Sequence, residues 1–143
     1  MLGLDDLEQG QVFVIGEWQL TVEAVKELAA TWDPQPFHLD ADAAKKIGLP
    51  GITASSLHIF AICTRLWADF DPGFKTLAMM GKEELRLHRP ALATDLLCYS
   101  TEVVSVRPSR SRLDRGFVRL GDTVVNAKGD VVMTQFVDLM LAR

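Results

Sequence analysis

The sequence contains few cysteines and no long apolar run. Its two cysteines, Cys63 and Cys98, lie far apart within apolar segments and lack metal-ligand spacing. We interpret both as reduced packing residues, which fits a cytoplasmic protein. No basic stretch followed by an apolar run marks a secretory signal near Met1. The strongest apolar run, residues 59–63, is too short to span a bilayer, so we expect no membrane association.

The chain also lacks an excess of positive charge. Its 143 residues include 15 Lys and Arg against 19 Asp and Glu, which gives a net charge of -4. This balance argues against general nucleic-acid binding, although a local basic patch remains compatible with it. With 48% hydrophobic and 24% charged residues, the composition is that of a globular protein, and we expect a single domain over residues 1–143.

Short strands and helices are predicted for the first part of the chain. A strand is expected at 11–15 and a further extended piece at 18–20, with a turn at 16–17 between them. Two helices are expected next, at 22–31 and 41–47, each directly after a residue type that commonly caps helices.

One apolar segment predicts a long buried helix. Ser55 or Ser56 can cap this helix, which should run to about Ala68 and is apolar nearly all round. Strands rich in Val, Leu, Thr and Phe are then expected at 83–87, 96–107, 116–125 and 131–141. Residues 126–130 are a candidate hairpin turn, and Gly121-Asp122 a candidate bulge. The order predicts an α+β fold in which an antiparallel sheet wraps around one helix.

The stretch Trp32–Asp40 is the first candidate site. Its prolines fix φ and push Asp33 and Gln35 out of the α region, so we expect a stiff loop rather than a helix. Asp33 and His38 on this loop could hold one water and work as an acid/base pair. Two alternatives remain open: a turn-capping Asp33 beside a structural His38, or a metal site that adds Asp40 but lacks a further His or Cys ligand.

The start of the buried helix is the second candidate. Free backbone N–H groups at Ser55 and Ser56 could form an oxyanion site, although plain capping is the simpler interpretation. His58, on the same helix, is expected to be a hydrogen-bonded core histidine, and His88 to be structural. A basic loop could bind a phosphate-bearing ligand or could simply be solvated. Its arginines are Arg107, Arg110, Arg112 and Arg115.

These stretches together resemble a known family. The residues 33–40, read Asp-Pro-Gln-Pro-Phe-His-Leu-Asp, then Ala43-Ala44 and the segment 53–58, are similar to the signature of MaoC-like dehydratases, the R-specific enoyl-CoA hydratase group. Downstream, residues 84–90 and 109–116 also resemble members of this family. The resemblance spans about residues 10 to 138 and implies a hotdog fold, a sheet curled around one long helix.

The resemblance also implies an activity. Family members add water reversibly across a 2-enoyl thioester, usually of coenzyme A. Asp33 and His38 match the family's catalytic pair, so Asp33 is expected to activate the water and His38 to transfer a proton, with the reverse assignment still open. The family's oxyanion donor, in a His-Gly pair, falls on Ser55-Ser56, so that the N–H of Ser56 would polarise the carbonyl. Arg110 and Arg112 are candidate contacts for the phosphates of coenzyme A.

Two departures from the family pattern stand out. Gln35 replaces the frequent asparagine, and Ser56 replaces the usual glycine, where a side chain could narrow the site or forbid a required backbone angle. No cofactor is needed for this chemistry, and the fold implies a homodimer or higher oligomer. A hotdog thioesterase and a non-catalytic acyl-thioester-binding subunit are the alternative functions.

Overall fold

The computed structural model describes all residues, 1–143, and shows a five-stranded antiparallel sheet with one long helix against it. The strands are β1 Val12–Gln19, β2 Thr76–Leu87, β3 Leu96–Pro108, β4 Arg115–Asn126 and β5 Val131–Ala142. The helices are α1 Val22–Trp32, α2 Pro36–Leu39, α3 Ala41–Lys46 and α4 Ser56–Asp69, after a 3-10 turn at Leu4–Asp6. The spatial order β1-β3-β4-β5-β2 leaves β1 and β2 as edges. The predicted α+β hotdog fold is confirmed.

Helix α4 forms the centre of the core. Ser55 caps it, since its Oγ accepts a hydrogen bond from the Leu57 N–H at 3.2 Å. Side chains three or four positions apart then face the sheet and exclude water from it. They are Ile59, Ile62, Cys63 and Leu66. Strand β4 opposes them with every second residue, as the period of a half-buried strand requires. No helix in the structure is both long and apolar enough to cross a bilayer.

The predicted break at residues 16–17 is wrong. Strand β1 is continuous, and the irregularity at Gly16 is a shift in its register against β3. Gly16 lies under the central helix, where an added Cβ would come within 3.1 Å of the Leu66 side chain. The glycine therefore marks a close approach of α4 to β1 rather than a turn.

Strand β2 begins at Thr76, well before the predicted start at 83. The first residues of β2 do not alternate cleanly between buried and exposed positions, because β2 is an edge strand and its register shifts repeatedly against β5. The apolar Met79 and Met80 are both more than half exposed, so they carry no inside–outside signal. Strands β3, β4 and β5 agree closely with prediction, as does the turn predicted at 126–130, in which Gly129 has a positive φ of 80°.

The predicted bulge at Gly121-Asp122 is also wrong. Both residues pair in continuous register, Gly121 with Phe136 and Asp122 with Gln135. Asp122 therefore points into the core beneath α4, where only 3% of it is exposed. The polar residue in a buried position is what made the strand pattern look interrupted.

Candidate active site

Asp33 and His38 lie on the connection between α1 and α2. Asp33 ends α1, and its N–H donates to the Ala29 carbonyl at 2.9 Å. Gln35 is extended, with φ −69° and ψ 136°, as expected before a proline. Pro36 then begins a single helical turn, because proline fits the first position of a helix. The predicted loop is wrong over 36–39, and this turn brings His38 back toward Asp33.

The two side chains meet at hydrogen-bonding distance. Asp33 Oδ2 lies 3.3 Å from His38 Nε2, while His38 Nδ1 lies 2.5 Å from the Thr53 carbonyl oxygen. Because a carbonyl only accepts, Nδ1 must carry a proton, and in the neutral ring Nε2 is then a free acceptor. Two acceptors thus face one point, where a single water can donate one O–H to each.

Ser55 holds Asp33 in place. Its Oγ donates to Asp33 Oδ2 at 2.6 Å and accepts from the Leu57 N–H, so one hydroxyl joins the carboxylate to the start of α4. The only proton of this hydroxyl is committed to Asp33. The Ser55 side chain is therefore arranged to orient the carboxylate rather than to donate to a substrate.

Ser56 presents the free donor at the same place. It is the first residue of α4, and its N–H is one of those at a helix start that have no intrahelical acceptor. The positive end of the helix dipole adds to the attraction for an oxygen that gains negative charge. The only non-glycine residue with positive φ is Glu84, so the family's glycine is not needed here for its backbone angle.

These groups border one open cavity of about 380 Å³. Asp33 and His38 form one wall, Ser56 and Ile59 of α4 form another, and the end of β2 closes the third side. The remaining lining residues come from the segments flanking these elements. They are Phe37, Leu49, Thr53, Ala54, Leu87, His88, Arg89, Pro90 and Ala91. The structure thus unites Asp33 and His38 with Ser56, which is far from them in sequence.

His58 is not among the residues that line this cavity. It is 7% exposed, and its Nδ1 is buried without a hydrogen-bond partner, in contrast to the expected hydrogen-bonded histidine. Burial lowers the pKa of the His58 imidazole, which favours the neutral ring. Nothing in this geometry places His58 among the reacting groups.

His88, which the sequence predicts to be structural, and Arg89, which has no predicted role, both line the cavity. His88 Nε2 lies 2.7 Å from Thr134 Oγ1, and Arg89 pairs with Asp130 at 3.7 Å across the sheet end. The only sequence signal for a role of these two residues is the segment 84–90, because its resemblance to family members extends to His88-Arg89-Pro90. Thr53 was passed over as well, since its backbone carbonyl rather than its side chain orients His38.

Arg110 and Arg112 lie at the other end of the sheet. They belong to the β3–β4 loop next to the Pro108–Gly116 pair, whereas the site adjoins the β4–β5 turn through Arg89 and Asp130. Arg112 is exposed and 3.6 Å from Asp114. A ligand in the site of the same chain would have to span the sheet to reach these arginines. Binding of a phosphate group by Arg110 and Arg112 therefore stays a prediction, and it would require the arginines of a second copy of the chain.

Asp40 does not join Asp33 and His38. Its Oδ1 accepts from the Ala43 N–H at 2.7 Å and caps α3, as the sequence predicted. No group of three or more His, Cys, Asp or Glu side chains in the structure is arranged to hold a metal ion. The geometry therefore favours the acid/base interpretation of the Asp33–His38 pair over the metal interpretation.

Comparison with known proteins gives consistent matches over nearly the whole chain. A family model described as a MaoC-like domain matches residues 10–126. The crystal structure of a MaoC-like dehydratase from Rhodospirillum rubrum is 33% identical, with a TM-score of 0.90, over 100% of this chain and 98% of that one.

Two further matches are more distant. The R-hydratase PhaJ1 from Pseudomonas aeruginosa is 26% identical, with a TM-score of 0.81, over 99% of this chain and 86% of that one. YdeM from Bacillus subtilis is 29% identical over 113 residues, which are 77% of this chain and 79% of the relative. The fold and the family thus agree between sequence and structure.

Proposed function

Because this chain belongs to the MaoC-like domain family, we propose that it adds water to, or removes it from, a 2-enoyl thioester, with an acyl-CoA as the expected substrate. The observation that carries the proposal is the 3.3 Å approach of Asp33 Oδ2 to His38 Nε2 in a cavity that Ser56 also lines. This constellation supplies a base, an acid and a carbonyl-binding donor within one site.

Asp33 and His38 divide the two proton transfers of hydration. Asp33 removes a proton from the bound water, whose oxygen attacks the β-carbon of the enoyl thioester. The proton taken up by Asp33 passes to the neutral Nε2 of His38 across the 3.3 Å between them, and His38 then gives this proton to the α-carbon, which restores both groups. Dehydration runs through the same steps in reverse.

Ser56 holds the thioester carbonyl. Negative charge gathers on the carbonyl oxygen while the β-carbon is attacked, and the free N–H at the start of α4 stabilises that charge. Serine supplies the same backbone donor as glycine. Its side chain reduces the room in the cavity wall, so Ser56 is expected to restrict the acyl groups near the reacting carbons.

A homodimer through β2 completes the proposal. This edge strand exposes a row of large apolar side chains, which an unpaired edge of a monomer rarely does. They are Leu77, Met79, Met80, Leu85 and Leu87. A twofold axis that pairs β2 with a second copy reverses its direction. The 109–114 loop of the second copy, with Arg110 and Arg112, would then lie at the end of the sheet that holds this chain's site.

The test is turnover of short and medium 2-enoyl-CoA substrates, followed by the loss of the conjugated-thioester absorbance, with free thiol measured in parallel. We expect water addition without thiol release. Release of free thiol would identify a thioesterase instead. Tight binding of acyl-CoA without either reaction would leave the non-catalytic subunit as the better interpretation and would contradict the proposal.

A further inference from the structure

A second polar cluster lies beneath the central helix, away from the Asp33–His38 pair. Asp122 Oδ1 accepts from Thr101 Oγ1 at 2.7 Å, and Asp122 Oδ2 accepts from Gln135 Nε2 at 2.8 Å. Lys82 Nζ donates to Gln135 Oε1 at 3.3 Å. Strands β2, β3, β4 and β5 thus each contribute one residue to a polar row, in which Thr101, Asp122 and Gln135 are buried and Lys82 is exposed at the sheet edge.

The row borders a small cavity of its own. This cavity has a volume of about 100 Å³ and lies between α4 and the sheet. Its wall is mostly apolar, with Trp67, Leu120 and Val137 among the lining residues, and Asp122 and Lys82 are its two charged ones. At about 30 Å³ per molecule, the volume corresponds to about three waters, so it accommodates a small group rather than a whole ligand.

Hydrogen-bonding capacity remains at the cavity wall. A carboxylate has about four acceptor positions; on Asp122, Thr101 and Gln135 use two of them, and the Tyr99 side chain is a third hydrogen-bonding partner. Lys82 has three N–H donors, of which one reaches Gln135. Burial raises the pKa of Asp122, because the interior destabilises the charged carboxylate unless a hydrogen-bond donor or a cation compensates its charge. Lys82 is exposed at the edge of the sheet, so the remaining acceptor position of Asp122 and the remaining donors of Lys82 are available to a polar group that enters the cavity.

The small cavity lies farther along the same helix than the candidate active site. Ile59 lines the active-site cavity, and Cys63, one turn later, lines the small one. Seven residues of helix separate Ser56 from Cys63, which is about 10 Å at 1.5 Å per residue. With carbon–carbon bonds of about 1.5 Å in a staggered chain, about eight bonds cover that length. Phe60 lies between these turns, with Lys82 Nζ 5.7 Å from its ring centroid.

We propose that the cavity beside Asp122 and Lys82 binds a hydroxyl group on the acyl chain, about eight bonds from the thioester carbonyl. The inference rests on the proposed function, because the acyl chain is assumed to enter from the Ser56 end. A hydroxyl donates one hydrogen bond and accepts others, so it can pair with Asp122 and Lys82 together. A methyl group would offer no hydrogen bond to the remaining positions of Asp122 and Lys82, and a second carboxylate would face the charge of Asp122.

The experiment measures binding of three saturated thioesters by calorimetry, so that no reaction intervenes. They are octanoyl-CoA, octanoyl-CoA with a terminal hydroxyl, and nonanoyl-CoA, in which a methyl takes the place of that hydroxyl. We expect the hydroxylated ligand to bind about tenfold more tightly than nonanoyl-CoA, as a hydrogen bond to a charged group requires. Asp122→Asn and Lys82→Met should each reduce this preference about fivefold, while Asp138→Asn, on the outer face of β5, should leave it unchanged.

Equal affinities for the hydroxylated and nonanoyl ligands, a preference for nonanoyl-CoA, or no binding of either ligand would overturn the inference. Octanoyl-CoA binding to each variant reports separately that the variant is folded. The matching 2-enoyl thioesters distinguish the two proposals. A hydroxyl preference in binding without hydration would refute only the proposed function, whereas hydration without a hydroxyl preference would refute only the Asp122 site.

Discussion

Asp33 and Asp122 are held by the same kind of contact in different surroundings. A hydroxyl donates to each, Ser55 Oγ to Asp33 at 2.6 Å and Thr101 Oγ1 to Asp122 at 2.7 Å. The Asp33 side chain is 26% exposed and faces His38, whereas Asp122 is 3% exposed and has its pKa raised by burial. A hydroxyl contact alone therefore does not mark a candidate catalytic carboxylate; access to water and a neighbouring proton acceptor distinguish Asp33 from Asp122.

The largest expected effect is at Asp33. Asp33→Asn keeps the shape but removes the base, so kcat for 2-enoyl-CoA hydration should fall about 1,000-fold. Asp40→Asn is the matched control, since Asp40 only caps α3 and asparagine caps helices equally well. A loss of kcat in Asp40→Asn as large as in Asp33→Asn would indicate damage to the local fold rather than to the chemistry.

A smaller loss is expected when the hydroxyl that donates to Asp33 is removed. Ser55→Ala removes the hydrogen bond to Asp33, and kcat should fall about 30-fold with KM nearly unchanged. Ser55→Thr retains the hydroxyl and should recover most of the activity. If the threonine variant were as slow as the alanine variant while equally stable, positioning of Asp33 by this hydroxyl would be refuted.

The buried aspartate should reveal itself in the pH dependence of stability. The pKa of Asp122 in the folded state is raised above 3.8, so between pH 3.8 and the raised pKa the native state binds more protons than the unfolded state. The free energy of unfolding of the wild type therefore falls as pH rises through this window. Relative to Asp122→Asn, the free energy of unfolding should fall by about 1.4 kcal/mol per pH unit within the window. Urea unfolding from pH 4 upward measures this slope. A slope equal to that of Asp122→Asn would contradict the raised pKa.

The smallest effect is expected at the remote basic loop. In an Arg110→Ala/Arg112→Ala double variant, KM for an acyl-CoA should rise a few-fold with kcat unchanged, and the rise should shrink at high salt. Substrates carried on a pantetheine thiol without the nucleotide should show no change. An unchanged KM for acyl-CoA at low salt would remove these arginines from the binding site.

Local sequence patterns were enough to predict most of the fold. Thr21, Asp40 and Ser55 cap helices where the sequence places them, and three of the five strands agree closely with prediction. The errors arose where tertiary contacts override local preference. Gly16 is typical of a turn in the sequence, but in the structure it leaves room for α4. The start of β2 carries exposed apolar residues, which we propose are covered by a second chain.

The candidate site was only partly predictable for a related reason. Asp33 and His38 are close in sequence, so their spacing pointed to a pair. Their meeting with Ser56 depends on how α4 packs, and here the family resemblance supplied what spacing could not. The contact between His38 and the Thr53 carbonyl has no side-chain signature at all. Asp122 was misread as part of a bulge because a strand pattern does not show that a polar residue is buried.

The most direct test compares kcat/KM for 2-enoyl-CoA hydration in Asp33→Asn, His38→Gln and the double variant. If both side chains act on one water, removal of either disables the unit, and the double variant should be about as slow as the slower single variant. Losses that multiply in the double variant, or hydration that persists undiminished in either single variant, would contradict a shared Asp33–His38 site.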